Sequence, residues 1–360
     1  MGYFGNPASN FHAMGSLAFH AVSGARAQVA AMLGVNFEDV FFTSSATESN
    51  NLVLRGIVEN PERLRNKIIY GATEHASVVT TARVLEKNFG KFLGVQSAQL
   101  RVNEQGQVDL DDARQIIDSD TLCVCLMDVN NETGILQTNL PEVISIAHSY
   151  GVPVHIDAVQ GFARGEFLSK SLDWDSITLS AGKIYGPRGA ALLAVRRRSP
   201  RIRIEPQLTG GGQEFGMRSS TVNVAGVVGF AKAMELQECE RSLRNAHLRN
   251  VESTFLRELE SHVEFRTIGC GALRAPGIVS LLIDSVNPLK LVEDMKQVAV
   301  GVGSACRSLH ASASHVLLAM GLPLDESLST FRVSFGLPTT ENDACEGAKL
   351  IAQAVQKFRN

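Results

Sequence analysis

The sequence predicts an α/β protein: a large domain built on a mostly parallel sheet with helices on both faces, followed by a smaller α+β C-terminal domain. Three observations predict it. Short apolar runs alternate with stretches of helical period through most of the chain. Glycine, asparagine and small polar residues close these runs, as turns in such folds require. A long helical stretch with a polar face, 224–258, then leads into a separate second set of strands and helices. At 360 residues the chain can bury two cores, and the division expected is 1–236 and 237–360.

The elements follow in order. Leu17, Val22, Ala25, Val29, Met32 and Leu33 recur at helical spacing and stop at Gly34, a fitting helix C-terminus. Val40, Phe41 and Phe42 read as a strand, and 47–58 as the next helix. Strand-like runs follow at 67–70, 122–129, 152–156, 176–179 and 190–195. A helix between the second and third of these is marked by Asn139 as N-cap, Glu142 three residues on, and Gly151 past its end. The second set comprises a strand at 278–283, a helix near 289–296, a strand at 331–335 and a last helix from Glu341.

Composition narrows the function. Hydrophobic residues are 44% and charged residues 20%, as in soluble globular proteins. No apolar run is long enough to span a bilayer, and the first residues lack a signal peptide's basic and apolar regions, so the expectation is a cytoplasmic protein. A net charge of −3 gives no global reason to expect nucleic acid, although the run Arg196-Arg197-Arg198, with Arg201 and Arg203, could touch a phosphate-bearing partner or form a solvated edge. The six cysteines contain no C-x-x-C pair, so neither a metal site nor a disulfide framework is expected.

Five segments carry chemistry. In Leu179-Ser180-Ala181-Gly182-Lys183-Ile184-Tyr185-Gly186-Pro187-Arg188-Gly189, a single lysine stands in a turn of small residues directly after a buried strand. Partial desolvation there lowers an amine's pKa and favours attack on a carbonyl, although a surface lysine in a glycine-rich loop would look similar. In Val154-His155-Ile156-Asp157-Ala158-Val159-Gln160, Asp157 falls at the carboxyl end of an apolar strand, where open α/β sheets bind ligands. It could hold a cofactor ring nitrogen protonated, or cap the next helix. In Thr43-Ser44-Ser45-Ala46-Thr47-Glu48, Ser45 and Glu48 have capping-box spacing, and the N–H groups of Ala46 and Thr47 at the helix start suit a phosphate. His75 and Asn131 each follow an apolar strand, at the sheet edge where an aromatic ligand would lie. Last, Gly301-Val302-Gly303-Ser304-Ala305-Cys306-Arg307-Ser308 puts a cysteine in a loop beside an arginine that favours thiolate. Downstream, Arg332 sits on a strand where its fork could grip a carboxylate or close a structural ion pair.

The ordered set, from Phe4-Gly5-Asn6-Pro7-Ala8-Ser9 to the last helix, resembles the cysteine desulfurases, fold-type-I enzymes of the class V aminotransferase group that depend on pyridoxal 5'-phosphate. The resemblance implies that Lys183 holds the cofactor as an imine and moves the substrate's α-proton. It implies that Asp157 pairs with the pyridine nitrogen, Gln160 and Asn131 with the ring's phenolic oxygen, and that His75 stacks on the ring. Thr47 and Ser180 would bind phosphate, with Thr221 reaching it across a homodimer interface. Cys306 would take sulfur from L-cysteine as a persulfide and release alanine, while Arg332, with Asn131 nearby, would bind the substrate carboxylate. An acceptor protein would receive the sulfur, for iron–sulfur cluster assembly or through a tRNA- or DNA-modifying partner.

Two departures bear on these expectations. Gly182 stands where the family usually has histidine, which removes one phosphate donor. The family's usual first strand and loop do not precede the Gly-Asn-Pro motif, so the resemblance implies a substrate pocket that is impaired or completed by another chain. The competing readings are a selenocysteine lyase, an aminotransferase on the same fold, and a dimeric scaffold impaired in catalysis.

Overall fold

The computed structural model describes residues 5–165, 171–198, 202–284, 286–295, 297–302 and 313–359. Its large sheet has seven strands: β1 (Val40–Thr43), β2 (Lys67–Gly71), β3 (Gln96–Leu100), β4 (Thr121–Met127), β5 (Val154–Asp157), β6 (Ser176–Ser180) and β7 (Ala191–Val195). They lie in the order β1-β7-β6-β5-β4-β2-β3. Strands β2 to β6 pair in parallel, while β7 runs antiparallel between β6 and β1. Two reversals restore the direction, so β1 points the same way as the centre. The carboxyl ends of β1, β2, β4, β5 and β6 therefore open on one edge.

Every residue of β4, β5 and β7 is buried; β4 and β7 read as near-continuous apolar runs, whereas β5 encloses His155 and Asp157 between apolar residues. Helices α1 (Ala13–Leu33), α2 (Ala46–Glu59), α3 (Ala76–Leu93), α4 (Leu110–Ile116), α5 (Leu140–Ser149) and α6 (Val159–Arg164) surround the sheet. The pair α3 and β3 was not anticipated. Strand β3, Gln-Ser-Ala-Gln-Leu, is a sheet-edge strand with only Leu100 buried, so it lacks an apolar run to betray it. Asn139 does precede α5, but its side chain does not cap it: it donates to the Val108 carbonyl instead, and Pro141 stands in the first turn of the helix.

A 37-residue helix, α7 (Val224–Glu260), then runs through both cores. Phe230, Ala231 and Met234 belong to the core of the large sheet, whereas Leu248, Val251, Phe255 and Leu259 pack with a second core. That second core lies on a small antiparallel sheet of β8 (Arg266–Thr267), β9 (Ile278–Leu282), β10 (Gly301–Val302) and β11 (Thr330–Ser334), ordered β10-β11-β9-β8. Helices α8 (Pro288–Asp294), α9 (His315–Ala319), α10 (Leu324–Leu328) and α11 (Glu341–Arg359) accompany it.

A buried ion pair fastens the segment between β7 and α7. Arg26 of α1 reaches Glu214 at 2.5 Å and the Val40 carbonyl at 3.2 Å, and Glu214 accepts from Phe42 N at 2.7 Å. The Arg26 guanidinium also lies 5.1 Å from the ring centres of Phe42 and Phe215. Glu214 and Phe215 hold left-handed backbone, φ +51° and +56°, a strained arrangement that persists only where contacts over-determine it. Removing one partner of a buried pair strands the other. Glu214→Ala should therefore cost about 3 kcal/mol or more of stability in urea unfolding; a loss below about 1 kcal/mol would mean that the turn is held by something else.

Candidate active site

Each segment singled out from the sequence, among the described residues, belongs to the sheet's open edge or to the small-sheet strand facing it. Burial comes first. Asp157 closes β5 and is buried; desolvation raises its carboxyl above the usual aspartate value, with Asn50, the Val159 N–H, His75 and Lys183 each working the other way. Its Oδ2 accepts from Asn50 Nδ2 at 2.8 Å and its Oδ1 from Val159 N at 3.2 Å.

Lys183 ends a 3-10 turn, Ala181–Lys183, directly after β6. It is open to solvent on one side, yet partial burial, followed by the charges of Arg332, Arg164 and Arg188, holds its ammonium below the ordinary lysine value, opposed by Asp157. An amine so placed is a better nucleophile and base near neutral pH. Ser180 precedes the turn without capping it.

His75 stands at the N-cap of α3, exposed, with Nδ1 accepting from Ser77 N at 3.1 Å and 2.8 Å from Ser77 Oγ. Asn131 follows β4, and its carbonyl accepts from Arg332 Nη1 of β11 at 2.9 Å. The Nε of Arg332 and the Oε1 of Gln160, on α6, are buried and have no partner among the described residues. Such groups point to a ligand's place in a site of this kind.

The turn from β1 into α2 departs from the expected capping box by half. Ser45 Oγ accepts from Glu48 N at 3.1 Å, but the Glu48 carboxylate reaches Ser44 N at 2.9 Å and pairs with Arg218 at 2.7 Å, not with Ser45 N. Arg218 draws it aside. Ala46 and Thr47 stand at the first two positions of the helix, where backbone N–H groups have no intrahelical acceptor. Thr221, exposed, lines a small hollow beside Ser44, Ala190 and Arg218. Cys306 lies outside the described residues.

Four participants escaped the sequence reading. Asn50 and His155 are both completely buried, 0% exposed, and hydrogen-bond to each other at 3.0 Å. Glu74 is buried beside Asp157 and Asp128; burial first, then those two carboxyls, raises it well above the carboxylate range. Arg164 donates to the Gly277 and Phe335 carbonyls at 2.8 and 2.9 Å. A signal existed for the first two. His155 shares a strand face with Asp157 by the period of two, and Asn50 begins the buried helical stripe Asn50, Val53, Leu54, Ile57.

The basic run is largely neutralised. Arg196 lies 3.9 Å over the Trp174 ring, Arg197 is 3.3 Å from Asp39, Arg198 pairs with Asp173 and Asp175, and Arg203 with Glu62. Arg201 lies outside the described residues. These pairs favour the solvated-edge reading over a phosphate-bearing partner. Among the described residues no cluster of histidine, cysteine or acidic side chains could hold a metal, and no helix is long and apolar enough to cross a membrane.

Comparison with known proteins places the chain in context. The family model described as aminotransferase class-V matches residues 1–345. The chain is 36% identical over 356 residues to a cysteine desulfurase IscS of Neisseria gonorrhoeae, covering 99% of this chain and 86% of the relative. A cysteine desulfurase IscS of an Anaeromyxobacter species is also 36% identical, over 357 residues, with coverage of 99% and 87%. Among solved structures, a NifS-like protein superposes with a TM-score of 0.89 at 30% identity, covering 99% of this chain and 92% of its own. A structure titled SspA in complex with cysteine gives 0.76 at 26% identity, with coverage of 92% and 91%.

The buried histidine yields a prediction with a definite sign. Burial holds the His155 imidazole down at about 3, so it is neutral in the folded protein. Unfolded histidine titrates near 6.5, so in between the unfolded chain binds the extra proton. The resulting stability is intact above about pH 6.5 and falls by up to ~1.4 kcal/mol per pH unit as pH drops toward about 3. His155→Gln, which can still donate to Asn50, should flatten that slope in urea unfolding between about pH 7 and pH 4; parallel slopes would show that His155 is not neutral by burial.

Proposed function

The chain belongs to the class-V aminotransferase family, and from that premise we propose that it is a cysteine desulfurase dependent on pyridoxal 5'-phosphate. The observation that carries the reading is the joining of Lys183, Asp157 and Arg332 at one sheet edge, in a chain 36% identical to relatives named cysteine desulfurase. The residues present fit that cofactor. Lys183 would hold it covalently, Asp157 would face its ring nitrogen, and His75 would lie against its ring. Gln160 and Asn131 would meet the phenolic oxygen. The free N–H groups of Ala46 and Thr47, with Ser180 and a partner copy's counterpart of Thr221, would hold phosphate.

When bound, the cofactor supplies an electron sink conjugated to the amino acid's α-carbon. The remaining steps belong to the protein. Arg332, its Nη1 held by the Asn131 carbonyl and its Nε without a partner among the described residues, would grip the carboxylate of L-cysteine. A neighbour 26% identical, solved in complex with cysteine, supports that substrate class. Lys183, its amine eased toward neutrality, takes the α-proton and returns it. The Cys306 thiolate attacks the substrate sulfur. The carbon–sulfur bond breaks, its electron pair stays on the carbon skeleton and is protonated there, and alanine leaves. The sulfur remains on Cys306 as a persulfide for an acceptor protein, and the naming of the relatives supports iron–sulfur assembly as its setting.

The working form is a cytoplasmic homodimer, divided at about residue 236 into cofactor and thiol-bearing parts, with α7 joining their two cores. Phe11, Met14 and Leu17, exposed around the start of α1, support the packing of a second copy there.

Two substitutions separate the steps. Cys306→Ala should keep the visible absorbance of lysine-bound cofactor and lose persulfide and alanine formation, whereas Lys183→Ala should lose all three. Equal loss of absorbance in both variants would overturn the role of Cys306. At position 182 a side chain has room, since its first carbon would meet nothing closer than Arg188 Cγ at 3.9 Å. A charge-assisted bond to phosphate is worth roughly 1.5–3 kcal/mol, so Gly182→His should slow cofactor loss about tenfold or more. An unchanged release rate would place the phosphate elsewhere.

A further inference from the structure

One connected set of hydrogen bonds lies behind the site and belongs to no step described so far. Its members are Ser176, His155, Asn50, Ser77, His75 and Asp157. Asn50 and His155 are 0% exposed and Ser176 is equally enclosed. Donor and acceptor roles can be assigned throughout from one end. The Asp157 oxygens accept from Val159 N and from Asn50 Nδ2. That turns the Asn50 amide oxygen toward His155 Nε2, 3.0 Å away, which must carry the ring's hydrogen. His155 Nδ1 is then bare and accepts from Ser176 Oγ at 2.8 Å.

In the other direction, the second N–H of Asn50 reaches Ser77 Oγ at 2.9 Å. The hydroxyl hydrogen is thereby free to go to His75 Nδ1 at 2.8 Å, the same atom that accepts Ser77 N–H. With two donors on Nδ1, the ring hydrogen of neutral His75 resides on Nε2.

We propose that Asn50 is a positioning residue for this site, fixing at once the direction of the Asp157 carboxylate and that of the Ser77 hydroxyl, the second donor on His75 Nδ1. The inference rests on the reading of Asp157 and His75 as cofactor residues. The chemistry of an amide suits the task. A carboxylate meant to face a protonated ring nitrogen must be kept ionised inside an apolar sheet, yet not be consumed by a resident cation. An amide N–H does the first without the second, because it carries no charge. Among the described residues, only Asn50 hydrogen-bonds to both the Asp157 arm and the Ser77–His75 arm, so a change at Asn50 reaches both and a change at Ser77 reaches one.

The test uses the full chain with nitrogen-15-labelled histidine, observed by NMR before and after addition of pyridoxal phosphate. In the wild type, His75 and His155 should each show one tautomer, hydrogen on Nε2. In Asn50→Leu, His155 should become a mixture of tautomers and the His75 Nδ1 signal should shift as the Ser77 hydroxyl loses its orientation. The dissociation constant for pyridoxal phosphate should rise about fivefold or more, the factor that ~1 kcal/mol for one net hydrogen bond converts to. In Ser77→Ala the His75 signal should shift with His155 unchanged, and adding Asn50→Leu to that background should leave His75 where it was. A purely structural Asn50 would not produce that non-additivity. Unchanged His75 and His155 signals in a folded Asn50→Leu overturn the proposal; should that variant not fold, an unchanged His75 signal in Ser77→Ala does so. A wild-type chain that never binds pyridoxal phosphate would sink the functional reading instead, and the histidine spectra would still decide the relay.

Discussion

Burying a carboxylate at the end of an apolar strand carries a desolvation penalty that apolar packing cannot offset, and the polar architecture at the sheet edge is arranged around that penalty. Asp157 ends a strand in which every residue is buried. Two N–H donors meet its oxygens, and Lys183 and His75 lie close enough to favour its charged form. A second carboxyl, Glu74, is packed nearby and accepts from Met127 N at 2.7 Å. Burial first, with the neighbouring acids, raises its carboxyl well above the ordinary glutamate value, so the two buried acids do not share the same charge preference as free carboxylates. His155 is likewise held neutral by burial, so it adds no buried cation beside Asp157 on that face of the strand.

The seam to the smaller sheet is built from the same segments. Arg164 leaves the helix that carries Gln160 and donates to two carbonyls of the second unit; Gly277 must be glycine there, because its φ is +80° and a Cβ would stand 2.5 Å from Arg164 Nη1. Tyr185, two residues beyond Lys183 and itself at φ +64°, accepts from Leu337 N at 2.7 Å. Ser314 donates to Glu132 at 2.5 Å, and His315 Nε2 donates to the Glu74 carbonyl at 2.9 Å. Four of the segments around the site thus also fix a point of the opposing unit: those of Arg164, Tyr185, Glu132 and Glu74. Arg332 lies close enough to Lys183 to lower the pKa of its amine. Clustering Lys183, Arg332 and Arg164 is unfavourable in isolation.

Much of the fold was legible because buried parallel strands are written as apolar runs, and 122–129 and 152–156 required no context. Strand β3 was not legible: Gln96 to Leu100 is a strand because β2 is available to pair with, not because of its own composition. Asp157 and Lys183 could be found because each is a lone charge placed just after an apolar strand. The Asn139 cap and the Glu48 half of the capping box failed for one reason. In both, a partner distant in sequence, the Val108 carbonyl or Arg218, outbid the local one. Arg164 gave no signal at all, since its partners are backbone carbonyls more than a hundred residues away.

Asn50 and His155 fall between these cases, and the reason is geometric. Strand β5 puts His155 and Asp157 on one face by its period of two, while Val154 and Ile156 fill the other. Helix α2 covers that first face with a stripe of period 3.6 that begins at Asn50 and continues through Val53, Leu54 and Ile57. The polar hub sits where the two periods cross, at the end of both apolar stripes and against the open edge. There an amide and an imidazole can be enclosed without interrupting the core beneath them. A polar residue at the first position of an otherwise apolar helical stripe, facing a strand that alternates histidine and aspartate, is therefore a signature of a buried relay. The two periods must be laid over one another before it becomes visible, since in either element alone each residue reads as an isolated exception.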